Sequence, residues 1–320
     1  MEARHLADPV RVDAHARLID TGLYRPRHTA CYLLESAGEL AFIDCGAATS
    51  VPRLLKVLEA LGHSPEAVRW ILPTHVHLDH AGGAGRLLAA CPHATLATHH
   101  RGLPHLIDPG RLQAGAMAVY GETAFERLFG TLTPAPEGRC QALEEGDRIP
   151  LGDFELQFLD TPGHANHHGC FFDPVTGAIY TGDTFGLHYA ELDHDGEPLI
   201  LATTTPVAFD PAAWQRSLDA ILALNPSRAC LTHFGPLEEP ARWAPALRHS
   251  LEQHRDIALA EEANPEAGRE TRLRAALEAA VLAELPEELR VRAEELLAPD
   301  LELNAQGLAV WLARRAKHRR

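Results

Sequence analysis

The stretch Thr74-His-Val-His-Leu-Asp-His80 carries the reading of this 320-residue chain. It follows Trp70-Ile-Leu72, a brief apolar run with strand character that stops at Pro73, and it leads into Gly82-Gly83. The pattern predicts a loop over residues 74–83. A loop with tight bends can aim alternate side chains into one space, and His75, His77, Asp79 and His80 crowd four ligand-type groups into it. Imidazole nitrogen and carboxylate oxygen are donors that divalent metals take from proteins.

Three further segments raise the signal. Asp160-Thr-Pro-Gly-His164 puts a histidine just after a Pro-Gly turn, Tyr180-Thr-Gly-Asp183 ends a strand at a carboxylate, and Leu231-Thr-His233 ends another at an imidazole. Sheets converge strand ends that are far apart in sequence onto one edge, so these separations cost nothing geometrically. Five imidazoles and two carboxylates are the right number for two divalent ions that share one bridging carboxylate.

Outward from these motifs the chain alternates short strands and helices. Strands at 10–18, 29–34 and 40–45 read as a meander, and the helical spacing of Leu54, Leu55, Val57, Leu58 and Leu61 before Gly62 predicts a helix over 51–61. A helix at 85–90 and a strand at 94–98 follow. Residues 102–138 are Gly- and Pro-punctuated, with helical pieces near 112–120 and 123–129, a segment long enough to form a lid or insertion over a cleft. A second meander runs through 144–149, 154–159, 169–172 and 178–180. Asp210 is the expected N-cap of an amphipathic helix over 211–224, and 229–231 is the last expected strand. Two strand-rich halves that each carry helices predict an α/β fold, an αββα four-layer sandwich. After Pro240 the composition turns to Ala, Glu, Leu and Arg, with breaks at Pro265, Pro286 and Pro299 and i, i+4 pairs such as Leu247/Leu251, Leu273/Leu277 and Leu308/Leu312. This divides the chain into a catalytic domain, 1–240, and an all-α C-terminal extension of three or four helices, 241–320.

The four motif segments resemble the metallo-β-lactamase superfamily, in its glyoxalase II-like branch, over about residues 10–237. The resemblance implies a metal centre in which His75, His77 and His164 hold the first ion, Asp79, His80 and His233 hold the second, and Asp183 bridges. It assigns Asp79 and Asp183 as catalytic, with water activated between two divalent ions, most readily Zn²⁺, with Fe or Mn also suited to these donors. His77 stands where the di-iron, oxygen- and nitric-oxide-reducing branch carries Glu. The implied activity is hydrolysis of a small ester, thioester, lactone or phosphoester. The alternative on the same scaffold is a mononuclear non-haem iron oxidoreductase of the persulfide dioxygenase kind. His188 and Tyr189, which follow the bridging aspartate, are the substrate-binding candidates, because related hydrolases place a phenol or imidazole there.

Other residues invite plainer readings. His167 and His168 are expected to begin the next strand rather than to bind metal; His99, His100 and His105 read as a solvated helix start beside the expected lid. Thr74, Asp44 and Thr232 flank the ligand loops and are candidates to hold the imidazoles in place. Thr203-Thr-Thr-Pro206 either lines the cleft or leads into the helix capped by Asp210. The six cysteines include no C-x-x-C pair and read as buried reduced thiols.

Charge narrows the partners. The chain has 29 basic and 44 acidic residues, net −15, and five of the basic ones are Arg314, Arg315, Lys317, Arg319 and Arg320. A body so acidic repels phosphate backbones, so no nucleic-acid partner is expected, and the basic end reads as a solvated helix terminus. Glu2, Arg4, His5 and Asp8 fall where an export signal needs an apolar core. With no run of about 20 apolar residues, a cytoplasmic protein that contacts no membrane is expected, acting on a small molecule and able to form a homodimer. β-Lactam hydrolysis is not expected without export.

Overall fold

The computed structural model describes residues 8–318. Glu2, Arg4 and His5, on which the reading of the N-terminus leans, and Arg319 and Arg320 of the basic end lie outside the described residues. The strands are β1 (Val10–Arg11), β2 (Ala16–Asp20), β3 (Ala30–Ser36), β4 (Glu39–Ile43), β5 (Val68–Leu72), β6 (Thr95–His99), β7 (Cys140–Leu143), β8 (Arg148–Leu151), β9 (Phe154–Asp160), β10 (Gly169–Phe172), β11 (Ala178–Gly182), β12 (Leu187–His188), β13 (Ile200–Leu201), β14 (Arg228–Leu231) and β15 (Gly235–Glu238). The helices are α1 (Val51–Ala60), α2 (Leu78–Ala81), α3 (Ala84–Ala90), α4 (Leu103–Ile107), α5 (Gly110–Tyr120), α6 (Glu122–Leu128), α7 (Pro211–Ala223), α8 (Pro240–Glu261), α9 (Arg269–Glu284) and α10 (Glu287–His318). They form two compact units. The first comprises the described residues up to Asp160 with His167–Gly182 and Pro226–Glu238; the second comprises Thr161–Asn166, Asp183–Asn225 and the described residues from Glu239 on.

The first unit holds two sheets. One runs in chain order from β1 to β7, antiparallel through β4 and parallel from there, with α1, then α2 and α3, then α4 to α6 carried in the parallel crossovers. The other has the order β15-β14-β11-β10-β9-β8, antiparallel except where β11 meets β14. The period-2 geometry of a strand explains the layering. Along β3, Ala30, Tyr32 and Leu34 face the second sheet, where Phe158, Phe171 and Tyr180 meet them. Cys31 and Leu33 face the opposite way, toward Leu54 and Leu58 of α1 and Leu87 and Leu88 of α3. Both faces are therefore apolar, as a sheet covered on both sides requires. Each fully buried Leu, Ile or Phe contributes roughly 1.5–3 kcal/mol.

The second unit contains the β12–β13 ladder, α7 and the three long helices. Asp210 caps α7 as expected, its carboxylate accepting from the N–H groups of Ala212 and Ala213 at 3.0 Å. The architecture is the expected α/β sandwich with a helical C-terminal region.

Local differences have physical causes. The strand expected at 10–18 is interrupted because the Asp13 carboxylate accepts from the N–H groups of His15 and Ala16, both at 2.8 Å, and turns the chain. The strand expected at 144–149 is instead a turn at 144–147, closed by the Asp147 N–H on the Glu144 carbonyl at 3.1 Å, that leads into β8; the unanticipated β7 before it joins the first sheet beside β6, and β8 opens the second. β15 follows what reads as the last strand. Pro299 breaks nothing, lying inside α10 on its exposed side. A helical proline costs roughly 3 kcal/mol, which burial of Leu296, Leu297 and Leu301 around it outweighs.

Candidate metal centre

The first sheet delivers the Thr74–His80 stretch at the end of β5, but not as a simple loop. His77 is the N-cap position of α2, so Asp79 and His80 stand on one helical turn. That turn is held by Asp44, which is fully buried just after β4. Asp44 Oδ1 accepts from the Thr74 N–H at 2.8 Å and the Thr74 hydroxyl at 3.0 Å. Its Oδ2 accepts from His80 Nδ1 at 2.7 Å and from the Thr232 hydroxyl at 2.7 Å. Thr74 Oγ1 also lies 3.2 Å from His75 Nδ1. One carboxylate thus organises the loops of His75, His80 and His233. Asp44, Thr74 and Thr232 form a single buried cluster rather than ordinary turn residues.

The result is a convergence of donors. Ligand atoms of Asp79, His80 and His233 all lie within 4.8 Å of one another. His233 Nδ1 donates to the His28 carbonyl at 2.9 Å, which turns Nε2 to within 3.1 Å of Asp79 Oδ2. His80, with Nδ1 on Asp44, likewise presents Nε2 at 3.5 Å from the same oxygen. The His75 ring stands 4.1 Å from that of His80 and 4.5 Å from that of His77. His75 and His80 are fully buried, whereas His77 and Asp79 are partly open to solvent. Neutral imidazoles with Nδ1 tied off and Nε2 aimed at a carboxylate are the arrangement a divalent ion needs.

Within the second unit the other two expected ligands stand side by side. His164 Nδ1 donates to the Thr203 carbonyl at 2.7 Å, and its Nε2 lies 3.4 Å from Asp183 Oδ2. Trp214 of α7 stands edge-on to the His164 ring at 5.8 Å and donates its indole N–H to the Thr184 carbonyl at 2.6 Å. The glycines of both motifs are steric necessities. Gly163, at φ 145°, passes so close to α7 that a Cβ would come 2.4 Å from Trp214 Cα. At Gly182, φ 48°, it would come 2.5 Å from Thr74 Oγ1.

The remaining candidates fall as follows. His188 Nε2 pairs with Asp193 at 2.8 Å, and the buried Tyr189 places its hydroxyl 3.4 Å from both carboxylate oxygens of Asp300 on α10. His168, expected to begin the next strand, stands one residue before β10; it is buried and stacks on the His75 ring at 4.8 Å. His99 is not solvated: it is buried at the end of β6, with Nε2 3.2 Å from Asp160. Sequence reading passed over His28 and Trp214, which no spacing singles out. Among the six thiols, all free, five are buried. Burial first, then the neighbouring Cys45 and Asp44, raise the Cys31 pKa; burial and Asp44 raise that of Cys45. The two donate to the carbonyls of Asp44 (3.0 Å) and His80 (3.2 Å). No helix among the described residues is long and apolar enough to cross a membrane.

Two mixed sheets flanked by helices, with histidines and aspartates gathered at their strand ends, define a metallo-β-lactamase-type fold. The chain belongs to the metallo-beta-lactamase superfamily, whose sequence pattern matches residues 24–233. A hydroxyacylglutathione hydrolase of Hahella chejuensis is 32% identical over 130 residues, 40% of this chain and 38% of the relative. An atrochrysone carboxyl ACP thioesterase of Aspergillus fumigatus is 26% identical over 189 residues, 57% of this chain and 50% of the relative. The chain therefore spans half or less of the length of these two curated relatives. A metallo-beta-lactamase family protein of Thermus thermophilus shares the fold with a TM-score of 0.66 at 22% identity, over 96% of this chain and 95% of its own.

Proposed function

We propose that the protein is a metal-dependent hydrolase with a dinuclear centre, in which His75, His77 and His164 hold one ion, Asp79, His80 and His233 hold the other, and Asp183 bridges. The observation that carries this reading is the Asp79–His80–His233 cluster, whose two imidazoles are both fixed through Nδ1 and both turned toward one carboxylate oxygen. The donors are all nitrogen and oxygen, which fits zinc and also suits iron or manganese. Two divalent ions in such a set acidify water toward neutral pH and polarise an acyl or phosphoryl oxygen.

The chain's own groups divide the remaining work. Asp79 is the partly exposed carboxylate of the set and the one able to orient a water proton. The buried rings of His75 and His80 keep bulk water from the ligand side. His188 and Tyr189 are proposed to meet the substrate, and His188→Ala is expected to raise KM more than it lowers kcat. Among small esters, thioesters, lactones and phosphoesters we place thioesters first, supported by the names of the hydroxyacylglutathione hydrolase and thioesterase relatives. The acidic chain and the absence of a basic cluster outside the C-terminal end support a small-molecule substrate over nucleic acid.

The test is an assay of metal-quantified protein against acylglutathiones, other thioesters, lactones, phosphodiesters and glutathione persulfide. Two metal equivalents with release of free thiol are expected, and His77→Ala should abolish turnover while leaving the fold intact, as read by circular dichroism. One iron per chain with oxygen uptake would replace this reading with the mononuclear oxidoreductase.

A further inference from the structure

We propose that the C-terminal helices build part of the metal centre: Asn304 of α10, set by His254 of α8, is a positioning residue that holds residues 202–204 so that the Thr203 carbonyl fixes the ring of His164. This rests on His164 being a metal ligand, as proposed above.

Asn304 is buried and every polar group of its side chain is engaged. Its Oδ1 accepts from the Thr204 N–H at 2.7 Å, and its Nδ2 donates to the Ala202 carbonyl at 2.9 Å and to His254 Nε2 at 3.2 Å. Its main-chain carbonyl accepts from the Thr204 hydroxyl at 3.0 Å. From α8, the Ser250 hydroxyl accepts from the Ala202 N–H at 3.0 Å. The backbone on either side of Thr203 is thus clamped by two helices of the C-terminal region. Thr203 itself sends its carbonyl to His164 Nδ1.

The clamp is polarised in one direction. His254 donates from Nδ1 to the Ser250 carbonyl at 2.8 Å, so its Nε2 is the acceptor that orients the Asn304 carboxamide. Full burial pushes the His254 pKa down to about 4, which keeps the ring neutral and Nε2 available as that acceptor at physiological pH. One turn beyond Asn304, Gly307 lets α10 approach so closely that a Cβ there would fall 1.4 Å from the Thr204 carbonyl oxygen. Asparagine is a poor choice for a helix interior, and an apolar residue would fill the same space among Leu301, Ala305 and Leu308. Its amide serves the 202–204 segment. A metal-ligating imidazole needs its other nitrogen fixed to set tautomer and ring angle, and losing that support typically costs 10–100-fold in metal affinity.

The experiment uses the full chain and compares wild type, Asn304→Leu, His254→Leu, His254→Gln and, as a control in the same helical region, Leu277→Ala. Zinc stoichiometry, zinc affinity by chelator competition and the absorption spectrum of the Co²⁺-loaded protein are read, with folding followed by circular dichroism. Asn304→Leu and His254→Leu are expected to weaken one of the two zinc equivalents about 10–100-fold and to shift the Co²⁺ bands. His254→Gln, which still offers an acceptor to Asn304, and Leu277→Ala should keep both equivalents. If Asn304→Leu does not fold, Thr204→Val, which removes one hydroxyl contact, is expected to show a smaller loss of the same kind. Wild-type affinity and spectrum in the folded clamp variants, or equal zinc loss in Leu277→Ala, would overturn the proposal. A wild type that binds no zinc, iron or manganese would instead overturn the functional reading on which it rests.

Discussion

At the scale of single residues, Asp44 ties together three segments of the candidate site, accepting from Thr74, His80 and Thr232. Asp44 sits at φ 54°, a backbone conformation that Asn also tolerates, so Asp44→Asn changes only the side chain. The new amide would face the donors of His80 and Thr232 with a donor of its own. Stability is expected to fall by about 1–3 kcal/mol, from the buried groups left unmatched, and metal affinity by roughly 10–100-fold. Urea denaturation and zinc titration of the variant measure the two effects separately. His254 gives a second residue-scale expectation. Its pKa is about 4 when folded and about 6.5 when unfolded, so below the upper value the unfolded chain binds a proton that the native state refuses. The ring's neutral burial is fully compatible with folding above pH 6.5, and stability is lost as pH falls toward 4, by about 3 kcal/mol from this group. Denaturant unfolding at pH 7 and pH 4.5 should show a steeper loss in wild type than in His254→Gln.

At the scale of elements, α10 shows tertiary packing overruling local preference twice. Pro299 is accommodated because the helix buries leucines on its opposite side, and Gly307 is retained although alanine favours helices by up to about 1 kcal/mol. Helix propensity alone would make Gly307→Ala stabilising. A Cβ placed 1.4 Å from the Thr204 carbonyl oxygen meets backbone, which cannot swing aside, and overpacking costs roughly 1–3 kcal/mol or more. The variant is therefore expected to be less stable than wild type by about 1 kcal/mol or more, as read from its urea midpoint. An unchanged or raised midpoint would show that α10 does not press on Thr204.

At the scale of the whole molecule, the proposed ligands come from separate strand ends and loops, so metal binding is expected to be tied to folding. An ion that binds only the folded chain stabilises it by about 2.7 kcal/mol at one hundred times its dissociation constant. Chelator-stripped protein is expected to unfold several degrees below the reloaded protein, and equal melting temperatures would argue against a structural role for bound metal. The net charge of −15 predicts no RNA binding at physiological salt, which a gel-shift titration checks directly.

Much of this was legible before any coordinates. The Thr74–His80 stretch, the Pro-Gly-His and Gly-Asp turns and the final histidine announced donors at strand ends, because ligand chemistry is written in residue type and short spacing. The two meanders and the Asp210-capped helix were legible for a similar reason, since period-2 and period-3.6 patterns and caps are local. The single turn of α2 beneath Asp79 and His80, the buried place of His99 and the clamp from Asn304 were not. Each depends on which side chains meet across separations of dozens of residues or more, such as the 102 between Ala202 and Asn304, and that follows from how the elements pack together. Residue types in their local order were enough to specify the kind of chemistry and the class of fold. Which hydrogen bonds aim the rings was settled by packing alone, because orientation is a property of neighbours that the chain brings together only when folded.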